Sequence, residues 1–228
     1  MTCVWITRSE PGASRLEQAL TVAGYQSIKA PVVTTEIVEE GGPSEQFDVT
    51  IFVSEHAAKH AIRQKWSSIG SVVAVGQTTA EALRSIGLKP AQAPQASSEG
   101  ILELLQQQYP DARSVLIVAG ADGRTDLAKW LIDKGVRVWT WITYRRILLQ
   151  PVVDIGTCDV VVAGSADGLS RIAELCFSHP NFDRGRLSIL VPSNRVAKVA
   201  GSFGFKNIFN SDGANPEAVV ATLRDRAL

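Results

Sequence analysis

Side chains that could carry chemistry are few and far apart in this chain. His56 and His60 stand four positions apart in a stretch of helical character, which puts both imidazoles on one face, a spacing able to hold a metal ion. No acidic or cysteine partner completes a ligand set beside them, so the pair is expected to be a solvated helix surface, with no metal. His179 precedes Pro180 and reads as a loop residue. No Ser-His-Asp arrangement or GxSxG elbow is present, which leaves hydrolase chemistry without apparatus. Gly120-Ala-Asp-Gly123 lacks the third glycine of a dinucleotide fingerprint and nothing matches GxxxxGK[ST], so a nicotinamide or nucleotide enzyme is not expected.

Two features remain. Tyr144 carries a phenol that keeps its proton at neutral pH and can donate it in a hydrogen bond; its other reading is an aromatic packing at a domain edge. The turns are the second feature, because small polar groups gather there: Thr7-Arg8-Ser9, Ser54, Gln77-Thr78-Thr79, Ser97-Ser98, Gly120 to Arg124, Ser165, Ser193-Asn194-Arg195 and Ser211-Asp212-Gly213. Each alone is explained by N-capping, while the set would suit a ligand with several carboxylates or phosphates, since free N–H groups at helix starts attract anions.

The elements that must position these groups follow from pattern. Val136 to Arg146 is crowded with Val, Trp, Ile, Thr and Tyr and has no glycine or proline, so it reads as a strand longer than most. Such a strand can begin in one domain and leave it toward another. Elsewhere short apolar runs alternate with helical stretches closed by glycine, as at Gly24, Gly87 and Gly135, which is the pattern of parallel sheets covered on both faces. Pro90 to Ala96 reads as loop, and the helix after Val75 is expected to start only at Thr79.

A shift of 111 positions brings Val4, Ile6, Gly12, Leu16, Leu20 and Gly24 onto Val115, Ile117, Gly123, Leu127, Leu131 and Gly135, and Asp48, Val49 and Ser54 onto Asp159, Val160 and Ser165. A duplication follows. One α/β domain would be discontinuous, built from residues 1–34 and 147–228, and the other inserted as residues 35–146, with the chain crossing twice. The crossings are expected to pair as a two-stranded hinge, and a ligand cleft is expected between the two domains.

Composition narrows the class. The 228 residues hold 23 Lys plus Arg against 23 Asp plus Glu, so there is no basic field for nucleic acid, and an anionic ligand must be held locally. Cys3, Cys158 and Cys176 form no CxxC and suggest neither a disulfide framework nor zinc. No apolar run is long enough for a membrane span or a signal peptide, and a cytoplasmic protein is expected.

Several stretches, in order through nearly the whole chain, resemble the uroporphyrinogen-III synthase family: Ile6-Thr-Arg-Ser9, Phe52-Val-Ser-Glu-His-Ala57, Val73-Ala-Val-Gly-Gln-Thr-Thr-Ala80, Ser98-Glu-Gly100, Gly120-Ala-Asp-Gly-Arg124, Thr143-Tyr-Arg-Arg146 and Val191-Pro-Ser-Asn-Arg-Val-Ala197. The resemblance implies an α/β protein of two flavodoxin-like parallel-sheet domains joined by a two-stranded linker. It implies a lyase that closes linear hydroxymethylbilane to uroporphyrinogen III with loss of water and inversion of ring D, without cofactor or metal. Tyr144 would assist departure of the hydroxyl, and the substrate would be held by Arg8, Ser54, Thr79, Gly120, Arg124, Ser165, Ser193, Asn194 and Arg195. The implied working form is a monomer with a small-molecule substrate and neither nucleic acid nor membrane as partner. The alternative of another class is a two-domain binding protein without catalysis, which would have the same hinge and cleft.

Overall fold

The computed structural model describes residues 2–228 apart from Glu40, Lys65, 67–69, Asp122, Arg124 and 180–185. In chain order the strands are β1 Cys3–Ile6, β2 Gln26–Lys29, β3 Val33–Ile37, β4 Val49–Phe52, β5 Ser71–Ala74, β6 Ala91–Gln92, β7 Ser114–Gly120, β8 Arg137–Leu148, β9 Val160–Val162, β10 Ser188–Val191 and β11 Asn207–Asn210. The helices are α1 Gly12–Val22, α2 Glu55–Arg63, α3 Gln77–Arg84, α4 Ser98–Gln108, α5 Asp126–Asp133, α6 Leu169–Ser178, α7 Asn194–Ser202 and α8 Pro216–Asp225. By its internal contacts the chain separates into two units, Met1–Thr34 with Ile147–Leu228, and Thr35–Arg146.

In the first unit the sheet order is β11-β10-β9-β1-β2, with all four neighbouring pairs parallel. Counting only this unit's strands along the chain gives 2-1-3-4-5, the flavodoxin-like order. Both faces are apolar because successive strand residues point to opposite sides. Trp5, Val161, Ile189 and Val191 enter one core with α6 and α7, while Val4, Ile6, Val160, Val162 and Leu190 enter the other with α1 and α8. Trp5 is wholly buried and satisfies its indole N–H on the carbonyl of Ala30 at 2.8 Å.

The second unit has the order β3-β8-β7-β4-β5-β6. Phe52, Leu116 and Val118 face α2 and α3, and Val49, Ile51, Val115 and Ile117 face α4 and α5. The edge strand β3 runs antiparallel to β8: Val32, just before β3, accepts from Leu149 N–H, and Val38, just after it, donates to Thr143 O. A short strand, β6, lies inside the stretch read as loop from Pro90 to Ala96. Two residues after a proline give no periodicity to read, and the strand exists because Val73 and Ala74 of β5 offer it an open edge.

The 111-residue repeat is visible in the hydrogen bonding. Val49 pairs with Val115 in the second unit, and Val160 pairs with Val4 in the first, the same register displaced by the repeat. Asp48 Oδ2 accepts from Ser114 N–H at 2.8 Å, and its counterpart Asp159 Oδ2 accepts from Cys3 N–H at 3.0 Å. Backbone donation, to Asp48 from Arg113 N–H at 2.9 Å and then from Ser114, and to Asp159 from Cys3, holds both carboxyls below the usual carboxylate range. Gly24 and Gly135 both close their helices at positive φ, +86° and +80°, a conformation that a side chain would strain.

Candidate functional site

In each sheet the described polar turn residues fall beyond the carboxyl ends of the parallel strands, the edge at which open α/β sheets take ligands. The second unit gathers the more reactive set. Ser54 follows β4 and caps α2, its Oγ accepting from Ala57 N–H at 3.0 Å. Tyr144 lies late in β8, 3 % exposed, with its phenol oxygen 3.2 Å from Ser54 Oγ.

A bulge aims the phenol. Strict alternation along β8 would put Tyr144 on the face of Ile142, among the α4 and α5 core. Instead Ala119 pairs with Ile142 and Gly120 with Tyr144, so one extra residue, Thr143, is taken up between them, and Tyr144 O accepts from Ala121 N–H at 2.8 Å. Tyr144 thereby joins Trp141 on the face of α2. Gly120 makes room for it: a Cβ built there would lie 2.5 Å from the Tyr144 Cζ and 2.9 Å from its oxygen.

Two imidazoles complete this wall. The rings of His56 and His60 each lie 5.7 Å from the Tyr144 ring, and the Thr35 hydroxyl stands 3.5 Å from His56 Nδ1 and 3.2 Å from His60 Nε2. The Arg146 guanidinium approaches the phenol ring at 6.0 Å. Burial pushes the His56 imidazole down to about 4, and burial followed by the charge of Arg63 also lowers His60. Among the described residues no group of three or more His, Cys, Asp or Glu side chains could hold a metal ion.

The first unit gathers Arg8, Ser165, Ser193, Asn194 and Arg195. Arg8 donates to the carbonyl of Ala214 at 2.5 Å and lies against Gly12 and Gly164, where a Cβ would crowd it at 2.7 Å and 3.3 Å. Ser193 caps α7 by accepting from Val196 N–H at 3.4 Å, with Asn194 and Arg195 exposed in the first turn. Asn194 Oδ1 accepts from Asn210 Nδ2. Ser165 is exposed, and its hydroxyl meets Asp167 at 3.4 Å instead of a helix N–H, because α6 begins four residues later. Burial pushes Cys158 and Cys176 up to about 12, so neither is a nucleophile at neutral pH.

A sequence model described as Uroporphyrinogen-III synthase HemD matches residues 14–221. The chain belongs to that family. It is 24% identical to uroporphyrinogen-III synthase of Escherichia coli K12 and 25% identical to that of Salmonella typhimurium, in each case over 97% of this chain and 99% of the relative. In fold it is similar to the uroporphyrinogen-III synthetase of Helicobacter pylori, with a TM-score of 0.67 at 13% identity, 100% of this chain and 99% of that one being covered. A mutant uroporphyrinogen III synthase from Thermus thermophilus gives 0.59 at 16% identity, over 100% and 98%.

His56 and His60 are not a solvated surface: His60 is 8 % exposed and His56 half-buried. The signal was available, since Ala57, Ala58 and Ala61 mark the buried stripe of α2 and His60 lies three residues from the first of them. Thr79 is not a turn residue; α3 begins at Gln77 after an N-cap at Gly76, which buries Thr79 in its first turn. Arg124 lies outside the described residues.

Buried imidazoles make stability sensitive to mild acid. A histidine held below its ordinary value of 6.5 stays neutral in the folded chain while the unfolded chain takes up a proton, so its effect destabilises the fold as pH falls from 6.5 toward 4. Asp48 and Asp159, with lowered values, lose their contribution only below the ordinary carboxylate range. His56→Gln is therefore expected to flatten the pH dependence of the denaturation midpoint between about 6.5 and 4; an unchanged slope there would show that the His56 ring titrates freely.

Proposed function

We propose that this family member closes hydroxymethylbilane to uroporphyrinogen III through Tyr144. The supporting observation is the buried phenol, turned by the bulge onto Ser54 and seated over Gly120. Loss of the hydroxyl leaves an azafulvene cation that the substrate's own pyrrole nitrogen stabilises. The protein's task is then to protonate the departing oxygen and to hold the chain so that the substituted carbon of ring D attacks first. Tyr144 gives up its proton to the leaving hydroxyl; ring D, attached through its substituted carbon, regains aromaticity by releasing its bond to the ring C methylene, that methylene recloses on the free α-carbon of ring D, and the proton lost from this carbon returns the one given up, so water is the only by-product.

Ser54, Thr79 and Gly120 in one unit, and Arg8, Ser165, Ser193, Asn194 and Arg195 in the other, are assigned to the acetate and propionate groups, with Arg124 added on the sequence alone. The equal counts of basic and acidic residues favour holding these carboxylates through many backbone N–H groups. Arg195→Ala is accordingly expected to raise KM by less than ~10-fold; a thousandfold rise would show that one guanidinium dominates. The same reading makes the enzyme a cytoplasmic monomer that uses no cofactor and has no nucleic-acid or membrane partner. No helix among the described residues is long and apolar enough to cross a membrane.

The direct test is incubation with freshly generated hydroxymethylbilane, resolving the product isomers. Type III product is expected to form well above the unrearranged isomer that arises spontaneously. Type I alone, at the rate seen without protein, would refute the assignment.

A further inference from the structure

We propose that His60 is a positioning residue for Tyr144, clamping the phenol ring between the imidazole and the backbone at Gly120. The inference rests on the reading of Tyr144 as the proton donor. His60 is 8 % exposed, and its Nε2 lies 3.2 Å from the Thr35 hydroxyl while its Nδ1 is buried with no hydrogen-bond partner among the described residues. A buried nitrogen without a partner costs stability, and a phenylalanine or leucine would fill the same space without that cost. Packing alone gives no reason for an imidazole here.

What the imidazole adds is direction. Thr35 has one hydroxyl proton and two nearby ring nitrogens, His56 Nδ1 at 3.5 Å and His60 Nε2 at 3.2 Å. If both rings are neutral, it donates to one and accepts from the other, so each ring's orientation and tautomer depend on its neighbour. The His60 ring, so anchored, lies 5.7 Å from the Tyr144 ring at 35°. On the Gly120 side a single added carbon would collide with Cζ. Between these walls the phenol oxygen stays within reach of Ser54 Oγ. The anchor itself is held to α2 a second time, where Gln64 Nε2 donates to Val38 O at the end of β3.

The test compares His60→Phe, His60→Gln and Thr35→Val with Tyr144→Phe in the full chain. His60→Phe is expected to fold with a Tm equal to or above that of the parent, yet to lose ~10-fold or more in kcat with KM within about twofold, since an ångström of misplacement can cost this much. Thr35→Val, which keeps the shape and removes the hydroxyl, should lose kcat in the same direction. His60→Gln, which can still bond Thr35, should recover part of the loss. Added to Tyr144→Phe, His60→Phe should change kcat by less than about twofold, because no proton donor remains to be positioned. An equal loss in both backgrounds, or parental kcat for both His60→Phe and Thr35→Val, overturns the inference while leaving Tyr144 as donor. A fully active Tyr144→Phe enzyme removes the underlying reading and this inference together.

Discussion

Tyr144→Phe is expected to slow turnover by ~10–10⁴-fold, the range between one lost hydrogen bond and one lost general acid, while leaving the fold intact. The ring supplies the packing against Trp141 and the α2 core, and phenylalanine keeps it. What is removed is the phenol oxygen and its 3.2 Å contact with Ser54. Ser54→Ala would be a less clean probe, because it also removes the cap of α2, worth ~1 kcal/mol. As hydroxymethylbilane also cyclises unaided to the unrearranged isomer, the slowed enzyme should yield a larger share of type I. Full activity with full type III product would make the phenol structural.

Gly120→Ala is expected to be comparably severe without removing a reacting group. The new methyl would sit 2.5 Å from Cζ, 2.7 Å from Cε2 and 2.9 Å from the phenol oxygen, all well inside van der Waals contact. Because Tyr144 is buried on its other side as well, the ring must shift by about 1 Å or more, a displacement able to cost ~10²-fold in rate. Overpacking of this kind also lowers stability by ~1–3 kcal/mol. Steady-state kinetics beside thermal denaturation separates the two effects. Parental kcat would mean that the phenol finds an equally good position elsewhere.

Much of the scaffold was legible because its signals are local. The β-branched and aromatic run ending in Tyr144-Arg145-Arg146 forms the twelve-residue β8, and the repeat seen in Asp48 and Asp159 reappears as matched hydrogen bonds to Ser114 and Cys3. The site was less legible because its geometry depends on pairing between distant segments. Alternation assigns Tyr144 to the wrong face, since the Thr143 bulge is set by the register of β8 against β7. Gly120 reads as part of a turn until the ring beside it is seen. The spacing of His56 and His60 alone points to a solvated face, and only the alanine stripe shows which side of α2 is buried.

The most direct test of Tyr144 as proton donor varies the leaving group. A bilane whose hydroxymethyl is replaced by aminomethyl already carries the departing group's proton near neutral pH, so ammonia can leave without an acid from the protein. The account predicts that the Tyr144→Phe deficit, ~10-fold or greater on hydroxymethylbilane, shrinks to within about twofold on the aminomethyl analogue. The same deficit on both substrates would contradict it, since the phenol would then be acting on something other than the departing oxygen.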